Sequence, residues 1–89
     1  MKRFTVVWDT AVQDQLADLI VKHWGTSLAE QITSAADRID IELATRANDA
    51  GAITDGKIRT IAVYPLIVEY EVRVEDRMAI LLRYELAID

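Results

Sequence analysis

Three arginines in the last third of the chain, Arg59, Arg73 and Arg83, recur along extended-looking sequence. They are interleaved with Glu69, Glu71 and Glu85 and with Ile61, Ile67 and Leu81. Guanidinium groups gathered on one aliphatic-flanked surface suit a phosphate, an acidic peptide or a partner helix laid across them. The competing reading is a row of mutually neutralising ion pairs on a solvated sheet face, in which the three glutamates cancel the three arginines. The elements that carry these residues decide between the two.

Other chemistry is sparsely supplied. The chain has one histidine, His23, and no cysteine, which excludes a His-cluster metal site, a thiolate zinc site and a thiol nucleophile. Ser27 and Ser34 both fall in one expected helix, which argues against a Ser-His-Asp arrangement. His23 reads as a cation or packed ring at a helix C-terminus, where the macrodipole favours it. Asp14 with Asp18, and Asp37 with Asp40, are carboxylate pairs of the sort common on solvated helices, with Lys22 and Arg38 nearby to compensate. Gly25, Gly51 and Gly56 match no phosphate-cradling loop, and Trp8 and Trp24 are expected to plug the core rather than to stack on bases. Neither a metal nor another cofactor is expected.

The chain has 89 residues, 52% of them hydrophobic, and ten bases against fifteen acids give a net charge of −5. That describes one domain over residues 1–89, in which no linker, repeat or low-complexity run marks a boundary. Burial is marginal at this size, so a partner or a second copy is expected to complete the stabilisation. A surplus of acid argues against whole-molecule nucleic-acid binding, because counterion release needs excess Lys and Arg. The apolar stretch after Lys2 and Arg3 ends at Trp8, too short for a secretory signal, and nothing approaches a membrane span. A cytoplasmic protein without membrane contact is expected.

Residues 3–8 alternate and are rich in β-branched and aromatic side chains, which predicts a first strand. Thr10 to Gln13 has the form of a capping box, followed by Val12, Leu16, Leu19, Ile20 and His23 at helical spacing and by Gly25 as a left-handed terminator. A second box, Ser27 to Glu30, starts a helix with the stripe Leu28, Ile32, Ala35, Ala36, Ile39 and Leu43, so the two helices should form a hairpin. Arg38–Glu42 and Glu42–Arg46 are expected ion pairs on its outer face. Residues 48–56 read as turn, and Lys57–Val63, Leu66–Val74 and Met78–Leu86 as three further strands. The order β-α-α-β-β-β implies an α+β fold, a helical hairpin packed on one face of a mostly antiparallel sheet.

In the middle strand of this meander, Leu66, Val68, Tyr70, Val72 and Val74 should face the core. In the last strand the matching set is Met78, Ile80, Leu82 and Tyr84. A loop over residues 75–77 pairs Val72 with Ile80, Tyr70 with Leu82 and Val68 with Tyr84, and sets Glu69 opposite Arg83. At Tyr64-Pro65, one register places Ile61 opposite Ile67 and Arg59 opposite Glu69; a two-residue turn reverses it. In the first register Arg59, Glu69 and Arg83 line up on the helix-free face, beside Arg73, Ile61, Ile67 and Leu81.

The order of elements, the segment AADRIDIELA at 35–44 and the run GKIRTIAVYPLIVEYEVRVEDRMAILLRYE at 56–85 resemble the RelE/ParE superfamily of type II toxin–antitoxin toxins, which includes plasmid-stabilisation proteins. Gly56 followed by Arg59, Tyr70, and Leu82-Arg83 carry the likeness. The resemblance implies a bacterial toxin bound by a cognate antitoxin. It also implies either metal-independent endoribonuclease activity on ribosome-bound mRNA or inhibition of DNA gyrase. By position, Lys57, Arg59, Arg73 and Arg83 match the family's basic set, whose cations would stabilise charge on a scissile phosphate. Ile61, Ile67, Glu69 and Leu81 would line the antitoxin-binding face. The alternative is a catalytically degenerate interaction module or homodimer. The acidic balance motivates it, as does the tail Glu85–Asp89, which carries no Lys, Arg, His or Tyr.

Overall fold

A computed structural model describes residues 3–87. The chain runs β1 (Thr5–Val7), α1 (Thr10–Lys22), α2 (Ser27–Arg46), β2 (Ala52–Asp55), β3 (Ile58–Val63), β4 (Leu66–Arg73) and β5 (Met78–Leu86). The strands form one sheet in the order β1-β5-β4-β3-β2, with β1 parallel to β5 and every other pair antiparallel. The expected α+β architecture holds. One short strand is additional: β2, fully exposed, folds back on β3 from within the stretch read as turn.

The helical hairpin covers one face of the sheet. From α2, Ile32, Ile39 and Leu43 are wholly buried against Leu66, Val68 and Tyr70 of β4 and their neighbours. Each such aliphatic side chain contributes roughly 1.5–3 kcal/mol on leaving water. Val12 anchors α1 in the same layer. Both helix starts lie one residue earlier than the capping boxes predict. Asp9 caps α1, its Oδ1 accepting from the Val12 amide at 2.9 Å. Thr26 caps α2 by its position, without a side-chain bond to the helix. Gly25 ends the first helical segment in the left-handed conformation, φ 83°. Of the two expected ion pairs on α2, Glu42–Arg46 forms at 3.2 Å, and Arg38–Glu42 is not among the ion pairs of the described residues.

Two local devices set the strand registers. The first decides between the two registers open at Tyr64-Pro65, against the one that put Arg59 and Ile61 on the helix-free face, and the second corrects the expected pairing of β5. Tyr64-Pro65 is a two-residue turn, so Val63 pairs with Leu66, Ile61 with Val68 and Arg59 with Tyr70. Residues directly opposite one another point to the same side of a sheet. Ile61 and Arg59 therefore belong to the helix-covered side, and Ile61 is a core residue at 7% exposure. In β5 the pairing follows the expectation at Val68–Tyr84 and Glu69–Arg83, then shifts, so that Tyr70 faces Leu81 and Val72 faces Ala79. The extra residue of this β-bulge is Leu82. Ala79 and Leu81 are consequently core residues, while Leu82 is exposed and Met78 and Ile80 are only partly buried. Val74, expected inside, lies beyond the end of β4 and is exposed.

Gly51 closes the connection between α2 and β2 at φ 68°, and a Cβ there would collide with the Thr60 carbonyl, which is backbone and has nowhere to retreat. A Cβ at Gly25 meets open space. Gly51→Ala should therefore lower unfolding free energy by about 2 kcal/mol or more, against roughly 1 kcal/mol for Gly25→Ala, where only the left-handed backbone is penalised. Urea denaturation of the two variants checks the difference.

Candidate functional site

The helix-free face is built by the outward residues of β3, β4 and β5. Along β4 these are Ile67, Glu69, Glu71 and Arg73, with Glu85 opposite Ile67, Arg83 opposite Glu69 and Ile80 opposite Glu71. Of the residues expected to bind a partner there, Ile67 and Glu69 are on this face, half-buried, and Ile61 and Leu81 are in the core. Its two arginines are engaged within the chain. The Arg73 guanidinium lies 2.9 Å from Glu71, and that of Arg83 lies 3.7 Å from Glu85. With Glu69 added, the face is net acidic.

Arg59 is held on the other side. Its Nε donates to the Ala50 carbonyl at 3.0 Å and its Nη2 to the Gly51 carbonyl at 3.1 Å. The Tyr70 hydroxyl, wholly buried, lies between the carbonyls of Ala47, at 2.9 Å, and Ala50. Arg59 and Tyr70, neighbours across β3 and β4, thus clamp the α2–β2 connection, whose carbonyls lie past the last helical turn and need donors from elsewhere. Burial pushes the Tyr70 phenol above its usual range, and the Arg59 guanidinium pulls it part of the way back. This clamp was invisible in the sequence: nothing local ties residues 59 and 70 to 47–51.

The four basic residues of the expected site divide. Lys57, Arg59 and Arg73 gather at the end of the sheet where β3 starts and β4 stops. A cleft of about 280 Å³ is lined by Asn48, Gly56, Lys57, Arg59, Val72 and Val74. A second, of about 220 Å³, shares Lys57, Val72 and Val74 and adds Arg73, Glu75 and Asp76. Arg83 lines neither cleft and stands in mid-sheet opposite Glu69, on the helix-free face. Lys57 is exposed and in no ion pair among the described residues, and Arg59 has N–H groups beyond the two already bonded. Together they can hold one carboxylate or phosphate. His23 is at the helical hairpin turn and the Tyr70 proton is committed to carbonyls, so the titratable carboxyls beside these cations are those of Glu75 and Asp76 in the second cleft.

A second polar feature lies at the margin of the core. The Tyr84 hydroxyl and Oδ1 of Asp40 are buried without a hydrogen-bond partner among the described residues. Loss of hydration raises the Asp40 carboxyl to about 6, with the neighbouring Asp37 charge adding to the effect. Burial, and then the Asp40 charge, pushes the Tyr84 phenol up as well. Tyr84 also packs its ring against Trp8 at 6.1 Å, and its amide donates to Gln15 at 2.8 Å. Trp8 thus packs against the core as expected, whereas Trp24 is 77% exposed.

No protein-family model and no curated protein matches the sequence. Solved structures do match. A chain of the Pseudomonas aeruginosa chromosomal ParDE toxin–antitoxin system superposes with TM-score 0.76 at 13% identity, over 99% of this chain and all (100%) of that one. A chain of the Mycobacterium tuberculosis RelBE2 toxin–antitoxin complex superposes with TM-score 0.71 at 15% identity, over 94% and 98%. This is the RelE/ParE fold. A conserved hypothetical protein of Helicobacter pylori, HP0892, shares it at TM-score 0.53 and 14% identity, over 93% of each chain. In this fold the helical hairpin and the meander occupy the positions the sequence resemblance implied.

Two outcomes are expected. Tyr70→Phe leaves the Ala47 carbonyl short of a donor, while the Ala50 carbonyl keeps Arg59 Nε, and should cost about 1–3 kcal/mol, measurable by chemical denaturation. Asp40 has a folded pKa above its unfolded value of 3.8. The native state therefore holds a proton that the unfolded chain releases, and stability falls as pH rises through about 4 to 6 and stays lower above. Asp40→Asn should raise stability at pH 7.5 by about 1 kcal/mol after allowance for solvent screening, and by nothing near pH 4. Thermal melts across that range show whether the difference closes.

Proposed function

We propose that this chain is the toxin-type component of a type II toxin–antitoxin pair, bound by an antitoxin and acting on a protein target rather than by cutting RNA. The observation that carries the first half is the full-length superposition on chains of two toxin–antitoxin assemblies. The second half rests on the division of the basic set. Phosphodiester cleavage without a metal needs cations and a proton-transfer group converging on one phosphate. Here Arg59 is on the helix-covered side of the sheet and Arg73 and Arg83 on the opposite face, both arginines there are paired with glutamates, and that face is net acidic. A face of that charge repels an RNA backbone. Of the two activities implied by the family, gyrase inhibition needs binding alone and fits this surface better than mRNA cleavage does.

Expression of the chain in bacteria should halt growth, and co-expression of the adjacent open reading frame should restore it and yield a co-purifying complex. Purified protein should leave ribosome-bound mRNA intact while inhibiting DNA supercoiling by gyrase. Codon-specific mRNA cleavage that disappears in Arg59→Ala or Arg83→Ala would refute the protein-target reading. Normal growth with no complex would refute the toxin reading itself.

A further inference from the structure

The indole of Trp24 is displayed at the surface, and Val21, one turn earlier, is 69% exposed. Trp24 is the second residue past α1, immediately before the left-handed Gly25, so the chain turns away and leaves the ring standing over the hairpin. It walls a groove of about 370 Å³ between α1 and α2, floored by Ile20 and Ala29 and rimmed by Glu30 and Asp37. A second hollow shares Trp24, Ala29 and Glu30 and continues the groove around the turn to Ser27. Glu30 and Asp37 are seven residues apart on α2, about 10.5 Å or two turns along one helix face. Neither joins an ion pair among the described residues.

We propose that this groove docks an amphipathic helix from a separate polypeptide, with aliphatic side chains against Trp24 and Ile20 and Lys or Arg two turns apart meeting Glu30 and Asp37. An exposed indole beside an apolar hollow is the anchor arrangement that carries most of the energy in protein interfaces. The two carboxylates set the sign of the occupant. A second copy of this chain would bring its own Glu30 and Asp37, and a further net −5, against the first. An acidic segment meets the same repulsion. A groove running between two helices, with its charges at a two-turn interval, matches the side-chain repeat of a helix rather than of a strand. The surface belongs to the helical layer, so the inference does not depend on the clefts at the sheet end or on growth inhibition.

The test uses the full chain and a synthetic, amidated peptide of leucine and lysine, about 14 residues long, with leucines at helical spacing and lysines two turns apart. Titration should give one-to-one binding with a blue shift of the tryptophan emission that is absent in Trp24→Phe. Affinity should fall with salt, and Glu30→Gln with Asp37→Asn should weaken it about tenfold. Glu75→Gln with Asp76→Asn, on the other side of the molecule, should leave it unchanged. Equal binding of a scrambled peptide of the same composition would overturn the proposal, as would equal loss in the Glu75/Asp76 variant. A concentration-dependent dimer that itself shifts the Trp24 emission would overturn it in favour of a second copy. All these positions are exposed, and melting curves confirm that the variants fold.

Discussion

The register of β4 against its two neighbours is the constraint from which the other features follow. A strand slipped by one residue presents its opposite set of side chains, so whatever fixes the pairing also decides what meets the helices and what meets solvent. On one flank this is done by the tight turn at Tyr64-Pro65, and on the other by the extra residue Leu82. Together they place Ile61, Tyr70, Ala79 and Leu81 under the hairpin and leave Glu69, Glu71, Arg73 and Arg83 outside. The clamp on the α2–β2 connection depends on the same pairing, because only with Arg59 directly opposite Tyr70 do both side chains reach the carbonyls of residues 47–51.

The architecture was legible because its signals are periodic and long. Helical spacing from Val12 to His23 and from Leu28 to Leu43, and alternation through β3 to β5, required α+β layers whatever the loops did. The site was less legible because it turns on single-residue events. Alternation in the last strand is read identically whether or not a bulge interrupts it, so Leu81 and Leu82 exchange roles without any change in composition. The turn at Tyr64-Pro65 admitted two lengths, and Arg59 moved from one side of the sheet to the other with the choice. Trp24 follows the same logic: its apolar character suggested burial, but the end of α1 and the turn at Gly25 decided its direction. β2 is four exposed residues with a bulge, too short to leave a periodic trace.

The consequence for function is a change in the sign of the exposed sheet face. With Arg59 committed to backbone carbonyls and Arg73 and Arg83 beside glutamates, Lys57 is the member of the expected basic set left without a partner among the described residues, at one end of the sheet. A fold shared with toxin–antitoxin proteins here carries a sheet face whose net charge is acidic. The hairpin layer repeats the theme, with carboxylates bordering its apolar groove.

The parallel pairing of β1 with β5 joins Thr5 to Met78 and Val7 to Ile80, the two most distant parts of the described chain. Contacts of such sequence separation form late, after the loop entropy of everything between them has been spent. During synthesis β5 leaves the ribosome after the other described elements, and until it arrives β1 has no strand to pair with. An assembled surface on either layer is thus a property of the finished chain. A nascent or truncated copy, missing β5, would be inert toward any partner that reads the folded faces.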